Sequence, residues 1–530
     1  MSANPFASAA ARGWHIVDAS RLDRDLTLEA DVAIVGTGAG GATAADVLSA
    51  QGLRVVMLEE GPLRTSRDFH MLEREAYPQL YQESAGRRTK DKGITILQGR
   101  SVGGSTTVNW TASFRTPATT LAYWRSAYGL QQYTPETLAP WFARMEQRLS
   151  IAPWALPPNE NNAVLRRGAA AVGVATGVVP RNVKACRNLG YCGLGCPVDA
   201  KQSMLVTTIP AALERGATLI SRVRADRFAH AGGVVTMLEC SALDASGLRP
   251  GAHRVRVTAH TFVCAAGAIG SPALLLRSGV PDPNRVLGKR TFLHPTLVSA
   301  ADMPETVDAF AGAPQSVYSD HYLQMPLDGP IGFKLEVPPV HPVLMATTLP
   351  GFGTVHAGMT AQMRHTQVQI ALLRDGFHPE SPGGSVSLRG DGSPVLDYPI
   401  TAYLWEGARR ALHAMAEIQF AAGARTVFPL HESARQYGSL REARDAIDAL
   451  PMEILRTRVV SAHVMGGCGM SGDPAAGVVD PFGRHHQMSN LYVFDGSVFP
   501  TSLGTNPQLS IYGITARNAS RLADLLNAGC

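Results

Sequence analysis

The sequence predicts an α/β fold, mixed α+β overall, that is divided into two domains. The chain has 530 residues, more than the roughly 250 to 300 that one hydrophobic core usually serves. Short β-branched runs that lead into glycine-containing turns and Ala-rich helical stretches occur near the start, in the middle and near the end of the chain. Between residues 294 and 458 the pattern changes to alternating strands and long helices. These observations predict one domain built from discontinuous segments and a second, mixed domain.

The first element is the segment ADVAIVGTGAGGATAADVLSAQGLRVVMLEEGP, whose pattern predicts a strand, a tight turn, a helix and a second strand. Gly36, Gly38 and Gly41 form a GxGxxG motif at the turn, which leaves room for the close approach of a pyrophosphate and for helix packing. Glu59 ends the second strand, where its carboxylate can accept hydrogen bonds from a ribose. The segment therefore predicts a bound dinucleotide, either nicotinamide or flavin, and the alternative is a tight turn without a ligand.

Later segments extend this organisation. The runs GATLISRVRADRFAH, VVTMLECSAL and HRVRVTAHTFVCAAGAIGSPALLLRSG predict a return of the parallel sheet, and NLYVFDGSVFP predicts a last strand before a C-terminal helix. The alternating runs TQVQIALL and GSVSLRG, with the helical LWEGARRALHAMAEIQFAAGA, predict the second domain. The expected first domain comprises residues 27–118, 204–293 and 459–530, and the second comprises residues 119–203 and 294–458.

Charge and targeting signals exclude several classes of function. The formal net charge is +5, without blocks of Lys and Arg, so we expect no nucleic-acid partner. The first 30 residues lack the pattern of a secretory signal, and we therefore expect a cytoplasmic location. Gly and Pro interrupt the longest apolar stretch, so we expect no membrane-spanning helix, while peripheral contact with the inner membrane stays open.

Four further blocks are more specific: GRSVGGSTTVNW (99–110), GAIGSPALLLRSG (267–279), SAHVMGGC (461–468) and VFDGSVFPTSLGTNPQLSIYGITARNA (493–519). In order and spacing, over about residues 31 to 525, they resemble the glucose-methanol-choline (GMC) oxidoreductase family of FAD enzymes. The resemblance implies a Rossmann-like FAD-binding domain and an antiparallel-sheet substrate-binding domain with helices.

The resemblance implies that the cofactor is FAD, which we expect to be non-covalently bound. The residues expected at its ADP half are Gly36, Gly38, Gly41, Glu59, Val223, Ala266 and Gly267. The residues expected along its pyrophosphate, ribityl chain and isoalloxazine ring are Gly103, Gly104, Asn109, Asp495, Gly496, Pro507 and Gln508.

The resemblance also implies a catalytic pair, His463 and Asn506. A neutral histidine near pH 7 can take the hydroxyl proton of an alcohol as hydride leaves the carbinol carbon for flavin N5. An amide opposite can donate to the same oxygen as negative charge grows on it. Many members of the family carry a second histidine where this chain has Asn506, so His463 is the single candidate base. His294, before Pro295, is expected to be structural.

The expected function is the oxidation of an alcohol, primary and hydrophobic in preference, to an aldehyde or ketone. The apolar character of segments such as MPLDGPIGFKLEVPPVHPVLMATTLPGFG favours a hydrophobic substrate. The electron acceptor is oxygen, a quinone or a redox protein, so the enzyme is an oxidase or a dehydrogenase. The alternatives are a sugar or polyol dehydrogenase with an iron-sulfur relay, a flavoprotein of the hydroxynitrile-lyase type, and a non-catalytic FAD-binding protein.

Three of the seven cysteines lie within eleven residues, in ACRNLGYCGLGCPVDAKQS. This stretch is similar to the cysteine-containing insert of long-chain alcohol oxidases, the branch of the family that the chain resembles most, and to an iron-sulfur segment of some flavin sugar dehydrogenases. Cys186, Cys192 and Cys196 are therefore either buried structural cysteines, the favoured interpretation, or ligands of an iron-sulfur cluster or of zinc.

Overall fold

The computed structural model describes residues 4–529, and within them the chain forms twelve α-helices and twenty-two strands. The helices are α1 Ala39–Ala50, α2 Glu73–Leu80, α3 Ala118–Tyr128, α4 Pro135–Arg148, α5 Glu160–Ala171, α6 Thr208–Glu214, α7 Gly267–Ser278, α8 Pro342–Thr348, α9 Gly353–Ala361, α10 Ala402–Ala421, α11 Leu440–Ala449 and α12 Gln508–Ala528. The strands are β1 His15–Asp18, β2 Leu26–Val35, β3 Val55–Glu59, β4 Ile94–Ile96, β5 Ile151–Pro153, β6 Gly177–Val178, β7 Pro180–Asn182, β8 Thr218–Ser221, β9 Val223–Ala231, β10 Val234–Leu243, β11 Pro250–Cys264, β12 Lys289–Phe292, β13 Thr296–Asp302, β14 Val317–Ser319, β15 Phe333–Glu336, β16 Thr366–Leu373, β17 Gly384–Leu388, β18 Pro394–Asp397, β19 Thr426–Pro429, β20 Val459–Ser461, β21 Met465–Gly466 and β22 Leu491–Val493.

The first sheet has eight strands in the order β1-β8-β3-β2-β11-β10-β9, with β22 also paired to β11. The strands β1, β8, β3, β2, β11 and β22 pair in parallel, and β2 and β3 flank α1 along the chain as the sequence predicts. The mixed α/β fold class is confirmed.

The predicted return of the parallel sheet is confirmed only in part. Strand β8 pairs in parallel with β3, and β11 pairs in parallel with β2, whereas β9, β10 and β11 form an antiparallel meander with one another. The cause is the two-residue connection Gly232-Gly233, in which both residues have positive φ, +58° and +78°. Such a turn joins neighbouring antiparallel strands. The Gly-Gly pair between β9 and β10 is therefore a sequence signal for a hairpin.

The second sheet also has eight strands, in the order β4-β20-β13-β16-β15-β14-β6 with β19 paired to β13. The predicted alternating run TQVQIALL is strand β16, which pairs antiparallel with both β13 and β15. Helices α10 and α5 pack beside this sheet, and a smaller sheet has the order β18-β17-β12-β21.

Two hydrophobic cores accompany these sheets. The first contains buried residues of the first sheet, such as Ile34 and Phe262, together with Trp124 of α3 and Phe142 of α4. The second contains buried residues such as Leu335 of β15 and Met415 of α10. Helices α3 and α4 thus pack in the first core, although the predicted division assigned residues 119–203 to the second domain. The domain boundaries stay a prediction.

No helix among the described residues is both long and apolar enough to cross a membrane.

Candidate functional site

A cavity of about 730 Å³ brings the predicted site residues together. Every cofactor and catalytic residue predicted from the sequence lines it, except Gly41 and Gly103. Its walls come from the segments 35–40, 58–60, 97–100, 104–112, 223–226, 265–277, 462–464 and 506–511, among others. Residues that are several hundred positions apart in the chain therefore meet in one place.

Glu59 is held at one end of this cavity by three donors. Its Oε2 accepts hydrogen bonds from the backbone N–H of Thr37 (3.0 Å) and from Thr37 Oγ1 (2.7 Å), and its Oε1 accepts from the N–H of Gly61 (2.9 Å). Burial raises the pKa of the Glu59 carboxyl above its ordinary value. Thr37, which the sequence analysis did not single out, also accepts a hydrogen bond from Gly103 N (3.0 Å), and so joins the two glycine-rich loops.

The two glycine-rich loops form a narrow cradle. A Cβ atom on Gly104, whose φ is +54°, would lie only 2.7 Å from the Cα of Gly38. Helix α1 begins at Ala39, and its N-cap residue Gly38 makes no side-chain hydrogen bond, so the first backbone N–H groups of α1 have no side-chain cap. This geometry fits a pyrophosphate at a helix N-terminus. Gly41 has a packing requirement, because its Cβ would lie 1.9 Å from the carbonyl oxygen of Gly36, and its place in the cofactor site stays a prediction.

Asp495 fixes the wall where β22 ends. Its Oδ2 accepts from Gly267 N (2.8 Å) and Ser271 Oγ (2.5 Å), and its Oδ1 accepts from Ser497 N (2.8 Å). Burial raises the pKa of this carboxyl. Asp495 therefore joins the start of α7 to the segment that follows β22.

Gln508, at the start of α12, also lines the cavity. Its Nε2 donates to the carbonyl of Ala112 (2.7 Å) and to Ser113 Oγ (2.9 Å), while its Oε1 accepts from Asn109 Nδ2 (2.6 Å). The amides of Asn109 and Gln508 are thus engaged with each other.

The predicted catalytic pair is adjacent in the structure. His463 Nε2 lies 3.4 Å from Asn506 Nδ2, and both residues line the cavity. Burial, followed by the positive charge of Lys334, lowers the pKa of His463 to about 4. His463 is therefore neutral at physiological pH.

Beside this pair lie His294, which the sequence analysis expected to be structural, and Glu336 with its partner Gln315, which the sequence analysis did not single out. His294 Nδ1 lies 3.2 Å from His463 Nδ1, so the residue expected to be structural touches the predicted catalytic histidine. Asn506 Nδ2 is 3.3 Å from Glu336 Oε2, which also accepts from Gln315 Nε2 (2.7 Å). Burial raises the pKa of Glu336 to about 7. No spacing in the sequence connects these residues, because strand pairing brings them together.

The three clustered cysteines are free thiols of intermediate exposure, so the expectation that they are buried is wrong. Among residues 4–529, no group of three or more His, Cys, Asp or Glu side chains has an arrangement that could hold a metal ion. The described part of the chain therefore contains no set of side chains that could ligate an iron-sulfur cluster. Two buried cations flank the loop instead: Arg181 Nη2 lies 3.7 Å from Cys192 Sγ, and Lys201 Nζ donates to the carbonyl of Cys192 (2.7 Å).

Comparisons with known proteins agree with this geometry. Residues 77–296 and 379–515 match the two family models described as GMC oxidoreductase. The chain is 31% identical over 506 residues to an uncharacterized GMC-type oxidoreductase of Sinorhizobium fredii, and the match covers 94% of this chain and 95% of that protein. It is 27% identical over 522 residues to the long-chain-alcohol oxidase FAO1 of Arabidopsis thaliana, with 94% and 67% covered.

Two solved structures share the fold. Pyridoxine 4-oxidase from Mesorbium loti matches with a TM-score of 0.67 at 20% identity, covering 93% of this chain and 98% of that one. A formate oxidase of Aspergillus oryzae matches with a TM-score of 0.67 at 15% identity, covering 95% and 99%.

Proposed function

The chain belongs to the GMC oxidoreductase family, whose cofactor is FAD, and from this premise we propose that it oxidises a hydrophobic primary alcohol to the aldehyde. The observation that carries the proposal is that His463 and Asn506 lie side by side on the wall of the cavity that also contains the glycine cradle. When bound, FAD supplies the hydride acceptor of such a reaction.

We assign the residues around the cavity to FAD as follows. The cradle of Gly38 and Gly104 and the N-terminus of α1 would hold the pyrophosphate, and Glu59 would accept from the ribose. The remaining proposed cofactor contacts are Gly36, Gly103, Asn109, Val223, Ala266, Gly267, Asp495, Gly496, Pro507 and Gln508.

His463 and Asn506 are proposed to hold the hydroxyl oxygen of the substrate. Hydrogen bonds to this oxygen stabilise the negative charge that grows on it as the carbinol C–H bond breaks. The sequence motif implies that His463 Nε2 also takes the hydroxyl proton. For this role the neutral ring must carry its own proton on Nδ1. The lowered pKa of His463 is compatible with a neutral ring, which can hold the substrate oxygen and can take its proton.

The proposed substrate class rests on relatives and on the sequence. Long-chain-alcohol oxidases of Arabidopsis thaliana are similar over 94% of this chain or more, and we extend their substrate class and the oxygen acceptor of an oxidase to this protein. The alternative of a sugar dehydrogenase with an iron-sulfur relay lacks support, because the clustered cysteines belong to no metal-ligand group among the described residues.

The test is to mix FAD-loaded protein with a panel of alcohols in the absence of oxygen and to follow the visible absorbance of the flavin. We expect bleaching by long-chain primary alcohols and no bleaching in His463→Ala at unchanged FAD content. A lyase or a non-catalytic FAD-binding protein would leave the absorbance unchanged with every alcohol, and that result would overturn the proposal.

A further inference from the structure

The segment between β15 and β16 exposes apolar side chains and carries no charged residue. Residues 337–363 contain no Asp, Glu, Lys or Arg, and they form helices α8 and α9. Helix α9 has no buried residue, and α8 has one, Met345. Phe352, between the two helices, is 90% exposed, and Val355 of α9 is 68% exposed. A surface helix normally carries charged residues on its outer face, so this segment differs from one that faces water alone.

Helix α2 lies beside the start of α8. Glu73, the first residue of α2, accepts hydrogen bonds from the backbone N–H groups of Val343 (2.7 Å) and Leu344 (2.8 Å). Leu72, which precedes Glu73, is therefore close to the start of α8. The exposed side chains of Leu72 and Val343 belong to neighbouring parts of the surface.

The cysteine loop, residues 186–199, adjoins the same place. The ring of His341, the N-cap residue of α8, stacks on the ring of Tyr191 with the centroids 4.8 Å apart. Ser66 Oγ donates a hydrogen bond to Asp199 Oδ2 (2.7 Å), so the loop also contacts the segment that leads to α2. Three segments that are far apart in the sequence therefore form one part of the surface.

Half of the exposed large apolar side chains lie in these three segments. Among residues 4–529, twelve large apolar side chains are exposed. Six of them form a set that we call the apolar face: Met71, Leu72, Leu189, Val343, Phe352 and Val355. Single apolar residues on a surface need no explanation, whereas a cluster of them marks an interaction site.

Basic side chains accompany the apolar face. Four exposed basic residues in or next to the same segments form no ion pair among the described residues: Arg67, Arg74, Lys184 and Arg187. The acidic residues nearby already have partners, because Asp68 pairs with Arg64 (3.6 Å) and Glu75 accepts from His70 Nδ1 (2.8 Å). The unpaired charge around the apolar face is therefore positive, and it favours an anionic partner.

We propose that the apolar face docks on a lipid bilayer with anionic headgroups. Phe352 and Val355 enter the boundary between headgroups and acyl chains, and the four basic side chains contact the lipid phosphates. A second copy of this chain is a poorer occupant. In a two-fold dimer the apolar face would meet itself, and the basic side chains of the two copies would be brought together.

The elements that carry the apolar face also reach the cavity. Helix α2 leads from Leu72 to Tyr81, which lines the cavity, and the Tyr81 hydroxyl donates to the carbonyl of Gly193 in the cysteine loop (2.6 Å). A long-chain alcohol partitions into a bilayer because its chain is apolar. Docking therefore places the cavity near a store of such a substrate. This consequence rests on the proposed function, whereas the docking itself does not.

The direct test is co-sedimentation of the FAD-loaded protein with vesicles that contain phosphatidylcholine and phosphatidylglycerol in equal parts. We expect the wild type to bind at low salt, and the double variant Phe352→Asp, Val355→Asp to bind about tenfold or more weakly at unchanged FAD content. Leu525→Asp, which changes an exposed apolar residue of α12, is the matched control and should bind like the wild type. Absence of binding by the wild type, or equal binding by the double variant, would overturn the proposal.

The contribution of charge is tested with a second pair of variants. We expect the double variant Arg67→Gln, Arg187→Gln to bind the mixed vesicles more weakly, and the binding of the wild type to fall when salt is added or phosphatidylglycerol is left out. Arg285→Gln, at an exposed position outside the three segments, is the matched control and should bind like the wild type. Equal binding of the wild type to vesicles with and without phosphatidylglycerol would contradict the role of the basic side chains.

Sedimentation velocity without lipid distinguishes the bilayer from a second copy of the chain. We expect Phe352→Asp to leave the sedimentation coefficient unchanged. A wild-type dimer that Phe352→Asp converts to a monomer would show that another copy covers the apolar face, and it would overturn the proposal. None of these measurements uses an alcohol, so their failure is distinguishable from failure of the proposed function.

Discussion

Glu59 is a single buried side chain that joins two backbone segments and also lines the cavity. Its carboxylate accepts from Thr37 N, Thr37 Oγ1 and Gly61 N while it lines the cavity. A carboxylate offers acceptor sites on both oxygens, whereas an amide offers them on one.

Replacing Glu59 by glutamine should therefore weaken both stability and cofactor binding. The amide –NH₂ would face a backbone N–H donor, and a buried group left without its partner costs about 1–3 kcal/mol. We expect Glu59→Gln to lower the melting temperature and the FAD content of the purified protein. Glu29→Gln, at an exposed position of β2, is the matched control and should change neither. Equal FAD content in Glu59→Gln and the wild type would show that Glu59 does not contribute to the cofactor site.

The residue scale also shows what the sequence could not predict. Glu59 was predictable because it lies at a fixed distance along the chain from the glycine motif. His294 and Glu336 were not, because they meet His463 and Asn506 across separations of 169 and 170 residues. The contacts depend on how the chain segments pair and pack, and no local pattern encodes that arrangement.

At the scale of elements, two glycines around the start of helix α1, Gly38 and Gly40, have different surroundings. A Cβ on Gly38 would have the Cα of Gly104 as its nearest neighbour, at 3.9 Å, whereas a Cβ on Gly40 would lie 1.6 Å from the carbonyl oxygen of Phe494. The first position faces the cradle, and the second packs against the chain beyond β22.

The two positions should respond differently to alanine. We expect Gly38→Ala to fold with a melting temperature near that of the wild-type apoprotein and to bind FAD about tenfold or more weakly, because its methyl group enters the cradle. Gly40→Ala should lose stability by several kcal/mol, because backbone must move to relieve the contact. The measurements are thermal unfolding and FAD titration of the apoprotein. The same loss of stability in both variants would refute this division of roles.

The other elements were predicted to different degrees. The strand-turn-helix unit β2-α1-β3 and the strand β16 could be predicted because hydrophobic periodicity decides them locally. The antiparallel direction of β9 and β10 depended on a two-glycine turn that the sequence analysis did not use.

At the scale of the whole molecule, one cavity contains both the glycine cradle and the pair His463 and Asn506, which we propose act on the cofactor and on the substrate oxygen respectively. The size of the substrate is the next property to test. Each buried methylene group contributes about 0.8 kcal/mol, which corresponds to about a fourfold gain in kcat/KM.

We therefore expect kcat/KM for 1-alkanols to rise by up to about fourfold per methylene until the apolar space is filled. The measurement is oxygen consumption over a series of chain lengths at fixed pH. A profile that favours sugars or polyols over 1-alkanols would contradict the proposed substrate class.

The central claim, oxidation of an alcohol at its carbinol carbon, is tested most directly by an isotope effect on flavin bleaching. FAD-loaded protein is mixed without oxygen with a long-chain primary alcohol that carries either hydrogen or deuterium at the carbinol carbon. If this C–H bond breaks as the flavin is reduced, the deuterated alcohol should bleach the flavin several-fold more slowly, and His463→Ala should bleach it with neither. Absence of bleaching by both alcohols in the wild-type protein would contradict the account.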